Sequence, residues 1–191
     1  MINTVKQVLK YYLENKKEPT KSELKIEDTS LLERKWSIFI TFYKGWNIVW
    51  NHWNIMEIEN DLVNEIIKNT IWAFNDIRFP NITLNDLESL KIRIDIVKNR
   101  SLISTQKTIV KDGKTIENPN YKKITDLNPI KSWILAIRND YNKLAIILPN
   151  ISNSITNWKE FVDILSKKLN EIFKEENYII YEITTDVLTD F

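Results

Sequence analysis

Residues 74–97, with the sequence FNDIRFPNITLNDLESLKIRIDIV, predict the end of one helix and the start of a second, shorter one. Pro80 disfavours helical geometry at Phe79, so the preceding helix must end before that residue. Thr83 can then serve as the N-cap of a short helix, because Asp86 lies three residues later at the capping-box position. The stretch therefore contains a helix end, an irregular turn and a capped helix in succession.

The end of the same stretch alternates between apolar and charged side chains. Residues 90–97 place Leu and Ile on one side of a strand, and Lys91, Arg93 and Asp95 on the other. Such alternation is typical of a strand with one buried face and one solvated face. We therefore expect the three charged side chains to face water.

Outward from this segment, the chain adds amphipathic helices and hairpins. Apolar stripes at helical spacing predict helices over residues 4–15 and 158–174, and a third helix that Asn60 or Asp61 can cap and that runs to about residue 74. Runs of β-branched and aromatic residues predict two hairpins, over 36–55 and 132–149, and a final strand over 178–184. Asp112-Gly113 marks a turn within residues 98–131, which otherwise carry the weakest pattern. Hairpins with intervening helices indicate an α+β fold, a largely antiparallel sheet flanked by helices.

The length and the net charge limit which classes of protein this chain can belong to. The 191 residues suit a single domain over 1–191, with room for a small second lobe. The net charge of +1 argues against nucleic acid as a partner, because no overall positive field attracts phosphates. No apolar run reaches the roughly 18 residues of a membrane span, and the N-terminal residues lack the apolar core of a secretion signal. We therefore expect a cytoplasmic protein that does not contact membranes.

The rare residue types exclude several kinds of site. The chain has no Cys and one His, which removes thiolate ligands, a Cys nucleophile and a His-rich zinc site. Its two Gly residues leave no Gly-rich phosphate loop, and no Ser lies in a nucleophile-elbow pattern. We therefore expect neither a metal nor a cofactor.

The opening stretch resembles the hallmark of the AMMECR domain family, which typically has FxDPRFPPL followed by an acidic turn and a strand. The matching positions are Phe74, Asp76, Arg78, Phe79 and Pro80, while Ile77 stands where the family usually has Pro. Residues 146–150, 158–161 and 178–187 resemble later family segments in the same order. The resemblance covers nearly the whole chain. It implies an AMMECR-like fold and genomic association with Memo-like and radical S-adenosylmethionine proteins, the AmmeMemoRadiSam system.

The sequence departs from this family at one motif. The family carries LRGCIG after the first hairpin turn, and residues 48–53, IVWNHW, occupy those places here. The Arg, the Cys and both glycines are absent, and Trp133 stands where the second hairpin usually has Gly. The resemblance therefore does not carry the chemistry of the Arg-Gly-Cys motif to this chain.

The substituted segment supplies three candidate ligand-binding residues, Trp50, His52 and Trp53. On a strand, Trp50 and His52 share one face and Trp53 lies on the other. In one interpretation the indoles stack on a planar ligand while His52 exchanges a proton. In the other, the indoles fill a core on both sides of the strand. We favour the second and expect at least one of the two tryptophans to be buried.

Asp76 and Arg78 are the remaining candidate ligand-binding residues. Arg78 could hold a carboxylate or phosphate, with Asp76 orienting it. The structural alternative is that both residues fix the irregular turn before Pro80. We favour the structural alternative, because these residues persist where the Arg-Gly-Cys motif is lost.

Two functions follow from these observations. The first is a non-catalytic binding or interaction module, with a protein or small molecule as its partner. The alternative is an enzyme, or an enzyme subunit, that acts on a small aromatic substrate beside Memo-like and radical S-adenosylmethionine proteins. The sequence assigns no catalytic residue, so whether the chain catalyses a reaction stays open.

Overall fold

The computed structural model describes residues 1–45, 47–53, 56–76, 83–103, 106–127, 133–147 and 157–191, with the backbone alone for residues 47–53. Within these ranges the α-helices are α1 (Ile2–Asn15), α2 (Leu62–Phe74) and α3 (Trp158–Leu169). The strands are β1 (Ile38–Lys44), β2 (Asn47–Trp53), β3 (Leu90–Ile103), β4 (Thr108–Lys111), β5 (Lys114–Glu117), β6 (Trp133–Arg138), β7 (Leu144–Ile147) and β8 (Tyr178–Thr189). The strand pairs with a described register are antiparallel, which confirms the α+β class.

The chain forms two compact units. The first comprises Met1–Val97 and Thr185–Phe191, and the second comprises Lys98–Thr184. Strands β3 and β8 each contribute residues to both units. That residues 1–191 behave as a single domain stays a prediction.

The first unit is built on the predicted hairpin of β1 and β2. The strands pair antiparallel around Gly45, whose φ of +64° suits a residue without a Cβ. Their strand order within the unit is β2-β1-β3-β8. The core combines one face of this sheet with α1 and α2, and its largest fully buried members include Leu9, Ile38, Ile40, Phe42, Leu62, Ile66 and Ile92.

Predicted caps begin two helical segments of the first unit. Asp61 accepts a hydrogen bond from the Asn64 N–H at 3.0 Å, so it caps α2 as the sequence predicts. Thr83 and Asp86 form the predicted capping box of Leu84–Ser89, with the Thr83 N–H donating to Asp86 at 2.9 Å. This segment is a 3-10 helix, which still brings the chain to the start of β3.

The second unit contains the other predicted hairpin, β6 and β7. Its strand order is β8-β6-β7, with α3 packed on a core of residues that include Ile134, Ala136, Ile147, Phe161, Leu165 and Ile180. The helix ends at Leu169, which corrects the predicted end at 174. Asn170 adopts a left-handed φ of 52° and its N–H bonds to Lys167 and Ser166, because Asn tolerates this conformation better than most residues.

A further hairpin of β4 and β5 lies in the segment with the weakest sequence pattern. Asp112 and Gly113 form its turn with φ values of 51° and 71°, which confirms the predicted turn. Positive φ at both central residues is the geometry of a type I′ turn, which matches the twist of the two strands. The sequence indicated the turn, but the four-residue strands were too short to be predicted.

Candidate functional site

The candidate residues Trp50, His52 and Trp53 lie on β2, an outer strand of the first unit. Their register partners on β1 are Phe42, Ile40 and Phe39, in that order. The pairing is irregular between Phe42 and Tyr43, but it is regular from Trp50 to Trp53. Because no bulge interrupts this part of β2, the backbone is consistent with the expectation that Trp50 and Trp53 point to opposite faces of the strand. The three side chains lie outside the described part of the structure, so their burial stays a prediction.

The other two candidates follow α2. Asp76 comes directly after the helix cap Asn75, and its N–H donates to the Ala73 carbonyl at 3.3 Å. Its side chain is half-buried and has interactions of its own. Arg78 lies outside the described residues, so the expected contact between these two side chains stays a prediction.

Arg93 and Asp95 are buried, which corrects the expectation that they face water. Arg93 retains 9% of its exposure and Asp95 retains none. The Arg93 guanidinium donates from Nε to Asp95 Oδ2 at 2.8 Å and from Nη2 to Oδ1 at 2.7 Å. Alternation along β3 shows which side chains share a face, but it does not show whether that face is covered. The charged face is covered, and its two opposite charges satisfy each other.

Three further polar side chains of the first unit join this pair. Thr41 of β1 is the register partner of Arg93, and its Oγ1 is buried without a hydrogen-bond partner among the described residues. Tyr43 lies two residues further along β1. Thr185 of β8 donates to Asp95 Oδ1 at 3.4 Å. We call these five residues, Thr41, Tyr43, Arg93, Asp95 and Thr185, the polar face.

Aromatic and cationic groups lie at the Tyr43 end of the polar face. The Phe191 ring meets the Tyr43 ring edge-on, with 5.6 Å between the ring centroids. Lys91, the register partner of Tyr43, places its Nζ 5.5 Å from the centre of the same Phe191 ring. Phe191 remains 48% exposed, so this end of the polar face is the one closest to solvent.

Burial and charge act in opposite directions on the titratable groups of the polar face. Burial raises the pKa of Asp95 above its ordinary value, although the hydrogen bonds and charge of Arg93 oppose the rise. Burial acts to lower the pKa of Arg93, but the hydrogen bonds and charge of Asp95 outweigh it and raise the pKa overall. Burial also raises the pKa of Tyr43, which keeps its proton at neutral pH.

This geometry limits what the polar face can do chemically. Asp95 is fully buried and both of its oxygens accept hydrogen bonds from Arg93, so the carboxylate is not exposed to a substrate as a general base must be. The Tyr43 phenol can donate a hydrogen bond, and the Thr41 hydroxyl can donate or accept one. The polar face is therefore suited to holding a hydrogen-bonding group rather than to proton abstraction.

Glu65 of α2 is another buried carboxylate, and its hydrogen bonds give it a structural role. Its Oε2 accepts the N–H groups of Ile58 and Glu59 at 3.1 and 3.0 Å, and its Oε1 accepts the Asn69 side chain at 3.1 Å. These bonds hold the segment that follows β2 against the helix. The sequence offers one signal for this residue, an acidic position on an otherwise apolar helix face, and this signal does not by itself predict a buried carboxylate.

Each unit also has an open groove. In the first unit a groove of about 590 Å³ runs between α1 and Leu84–Ser89, over Leu9, Leu87 and Ile92. In the second unit a groove of about 740 Å³ lies beside β4, with Leu102, Tyr121 and Glu182 among its lining residues. The sequence predicted neither groove, because both are formed by segments that are distant along the chain.

The described residues show neither a metal-ion cluster nor a membrane-spanning helix. No group of three or more His, Cys, Asp or Glu side chains is arranged there to hold a metal ion. None of the described helices has the length and apolar character needed to cross a membrane.

Comparisons with known proteins place the chain in a family. Its fold is similar to that of the crystal structure of the uncharacterized protein PH0010 from Pyrococcus horikoshii, with a TM-score of 0.74 and 16% sequence identity. That similarity covers 97% of this chain and 87% of the other, and at this identity it shows the fold alone. The curated proteins gave no match. The AMMECR1 family model matches residues 2–183, so this chain belongs to the AMMECR1 family.

Proposed function

We propose that this AMMECR1-family chain is a non-catalytic binding module whose ligand site is the polar face together with the adjoining β2. The observation that carries the proposal is the closed pairing of Arg93 with Asp95. A fully buried carboxylate with both oxygens hydrogen-bonded to one guanidinium orients that guanidinium and has no exposed oxygen with which to take a proton from a substrate. The candidate residues Trp50, His52, Trp53, Asp76 and Arg78 are then binding residues or supports of the site.

The ligand class follows from the groups that the polar face offers. Tyr43 provides a hydroxyl donor, and Thr41 provides a buried hydroxyl with no partner among the described residues. Thr41 is also the register partner of Asn51 on β2, and strand alternation puts Trp53 on the same face as Asn51. A small planar molecule that carries a carboxylate or carbonyl fits this combination, with its acceptor at the hydroxyls and its ring near Trp53 of β2.

Thr41→Val tests the proposal because stability and binding should respond differently. The substitution removes an unsatisfied buried hydroxyl at nearly constant volume, so the free energy of unfolding should stay unchanged or increase. Binding of indole-3-carboxylate, followed by saturation-transfer NMR, should fall at least about tenfold, as expected for a lost hydrogen bond to a charged group. Tyr43→Phe should weaken the same binding, and the control Tyr141→Phe, at an exposed position in the other unit, should not.

Two probe molecules separate the parts of the proposal. Indole lacks the acceptor group and cyclohexanecarboxylate lacks the planar ring, so both should bind more weakly than indole-3-carboxylate. If the wild-type protein and Thr41→Val bind indole-3-carboxylate equally well, the polar face is not the binding site. Chemical conversion of the probe by the protein would instead support the alternative function, an enzyme that acts on a small aromatic substrate.

A further inference from the structure

The second unit contains a basic segment that the overall charge conceals. Residues 98–123 hold seven Lys or Arg and two Asp or Glu, so this segment carries a net charge of +5 and the remainder of the chain carries −4. Such an asymmetry marks a local electrostatic surface that a net charge of +1 does not reveal. Most of the segment belongs to the β4–β5 hairpin and its flanks, residues 106–123, which we call the basic hairpin.

The basic hairpin presents a face with apolar and cationic pairs. Ile109 is paired with Ile116, and two residues further along Lys111 is paired with Lys114 at the turn. These four side chains share one face, because alternate residues of a strand point the same way. Like charges directly opposite each other destabilise a hairpin. The two opposed lysines therefore cost the hairpin stability. They also leave two positive charges side by side on this face, which a negatively charged partner would neutralise.

Four lysines of the basic hairpin are available to a partner. Lys107, Lys111, Lys114 and Lys123 are exposed and form no ion pair within the described ranges. Lys122 differs, because its Nζ lies 2.6 Å from Glu182. An isolated two-stranded hairpin is also at best marginally stable by itself. Both observations favour contact with another molecule.

The groove beside β4 adds an apolar contact to this charged surface. Its lining includes Leu102, which is 58% exposed, and Ile109 of the hairpin face. A large exposed Leu at the wall of a groove offers an anchor point for an apolar side chain of a partner. The groove and the lysines therefore form one surface with an apolar centre and a cationic margin.

We infer that the basic hairpin and its groove dock an acidic, extended segment of a partner protein. An apolar side chain of that segment lies between Leu102 and Ile109, and its Asp and Glu residues meet the unpaired lysines. The hairpin has an unpaired outer edge on each strand within the described residues, and an extended segment can bond to such an edge. This inference goes beyond the proposed function and does not depend on it, because all of its residues lie in the second unit.

A protein segment fits this surface better than a nucleic acid strand does. Single-stranded nucleic acids are held by aromatic side chains on which the bases stack. Residues 98–120 contain no aromatic residue, and Tyr121 alone is aromatic among the described residues that line the groove. The apolar centre instead suits the side chain of an anchoring Leu or Ile.

Fluorescence anisotropy with labelled ten-residue peptides tests the inference. The probe peptide has one central Leu among Asp and Glu, and its control has Asn and Gln in place of the acids. The double variant Lys111→Glu/Lys114→Glu should bind the acidic probe at least about tenfold more weakly than the wild-type protein, because like charges would then face each other. The affinity of the wild-type protein should also fall as salt is added.

A matched double variant controls for overall charge. Lys159→Glu/Lys174→Glu changes two exposed lysines of the same unit, so both double variants lower the net charge from +1 to −3. The control variant should bind the acidic peptide as the wild-type protein does. Equal losses in the two double variants, or no binding of the acidic peptide by the wild-type protein, would overturn the inference.

Two further measurements identify the occupant. Leu102→Ser should weaken binding of the Leu-containing peptide but leave unchanged the weaker binding of a peptide with Gly at that position. A labelled ten-nucleotide oligo(dT) should bind more weakly than the acidic peptide. If oligo(dT) binds more tightly and Lys111→Glu/Lys114→Glu abolishes that binding, the surface serves nucleic acid and the proposed peptide docking is wrong.

Discussion

Arg93 and Asp95, two residues apart on β3, form a bidentate ion pair on a buried face of the first unit. Two hydrogen bonds of 2.8 and 2.7 Å join the guanidinium to the carboxylate, and only 11% of the Arg93 side chain is exposed. Because neither charge is well solvated, each one depends on the other for its stability in the fold. The Thr41 hydroxyl has no partner among the described residues, and the Tyr43 hydroxyl, which also interacts with Arg93, keeps its proton for donation to a ligand.

Removal of one partner of this pair should strongly destabilise the protein. Arg93→Met or Asp95→Leu leaves an uncompensated buried charge, so the free energy of unfolding in urea should fall by about 3–5 kcal/mol. The double variant Arg93→Met/Asp95→Leu should lose less than either single variant. The control Lys44→Met breaks the exposed pair with Asp86 and should cost much less, because exposed ion pairs contribute little to stability. A loss below 1 kcal/mol for both single variants would show that the pair is solvated.

Trp50→Ala should show whether β2 contributes to the core. Phe42, the register partner of Trp50, is fully buried, so we expect the indole to be buried as well, at a cost of about 3–5 kcal/mol when it is truncated. Trp72→Ala on α2, where the side chain is 40% exposed, is the control and should cost less. Urea denaturation measures both losses. Similar losses at the two positions would favour an open pocket lined by the indoles of β2.

Arg78→Ala should lower the melting temperature if the turn before Pro80 is structural. We expect Arg78 to bind Asp76 or nearby backbone carbonyls, and removal of a charged hydrogen-bond donor costs about 1.5–3 kcal/mol. Calorimetry measures the shift, with Lys159→Ala at an exposed position of α3 as the control. An unchanged melting temperature would contradict the structural role of Arg78 and would favour a role in ligand binding.

We expect the pKa of the Asp86 carboxyl group to lie well below the usual range for Asp. The hydrogen bond from Lys44, with those from Thr83, lowers the pKa of Asp86 from 3.8 to about 2. Because the folded state holds the carboxylate ionised, this stabilisation is complete above pH 3.8 and is lost as the pH falls towards 2. Carboxyl-carbon NMR should show the low midpoint, and Lys44→Met should raise it. A midpoint near 3.8 in the wild-type protein would contradict the prediction.

The whole chain should unfold in a single transition. Strands β3 and β8 each continue from one compact unit into the other, so neither unit can lose these strands without affecting its partner. Calorimetry should therefore give equal calorimetric and van't Hoff enthalpies, as a single domain requires. Two resolved transitions would show that the units are separate domains.

Local physical chemistry determined much of this fold from the sequence alone. The stripes of α1 and α2, the Asp61 cap and the Thr83–Asp86 capping box depend on residues within a few positions of each other, so their patterns are visible in one segment. The two main hairpins were predictable for the same reason. The motif around Asp76 also led to the family, which the match over residues 2–183 confirms.

The tertiary structure decided what lies next to these elements. Alternation along β3 correctly separated its two faces, but the burial of Arg93 and Asp95 depends on segments far away in the chain. The polar face likewise joins residues from β1, β3 and β8, and the groove beside β4 brings residues 118–122 together with the end of β3 and with Glu182 of β8. A sequence pattern describes the neighbours of a residue along the chain. The burial, charge pairing and solvent contact that define a site depend on its neighbours in space.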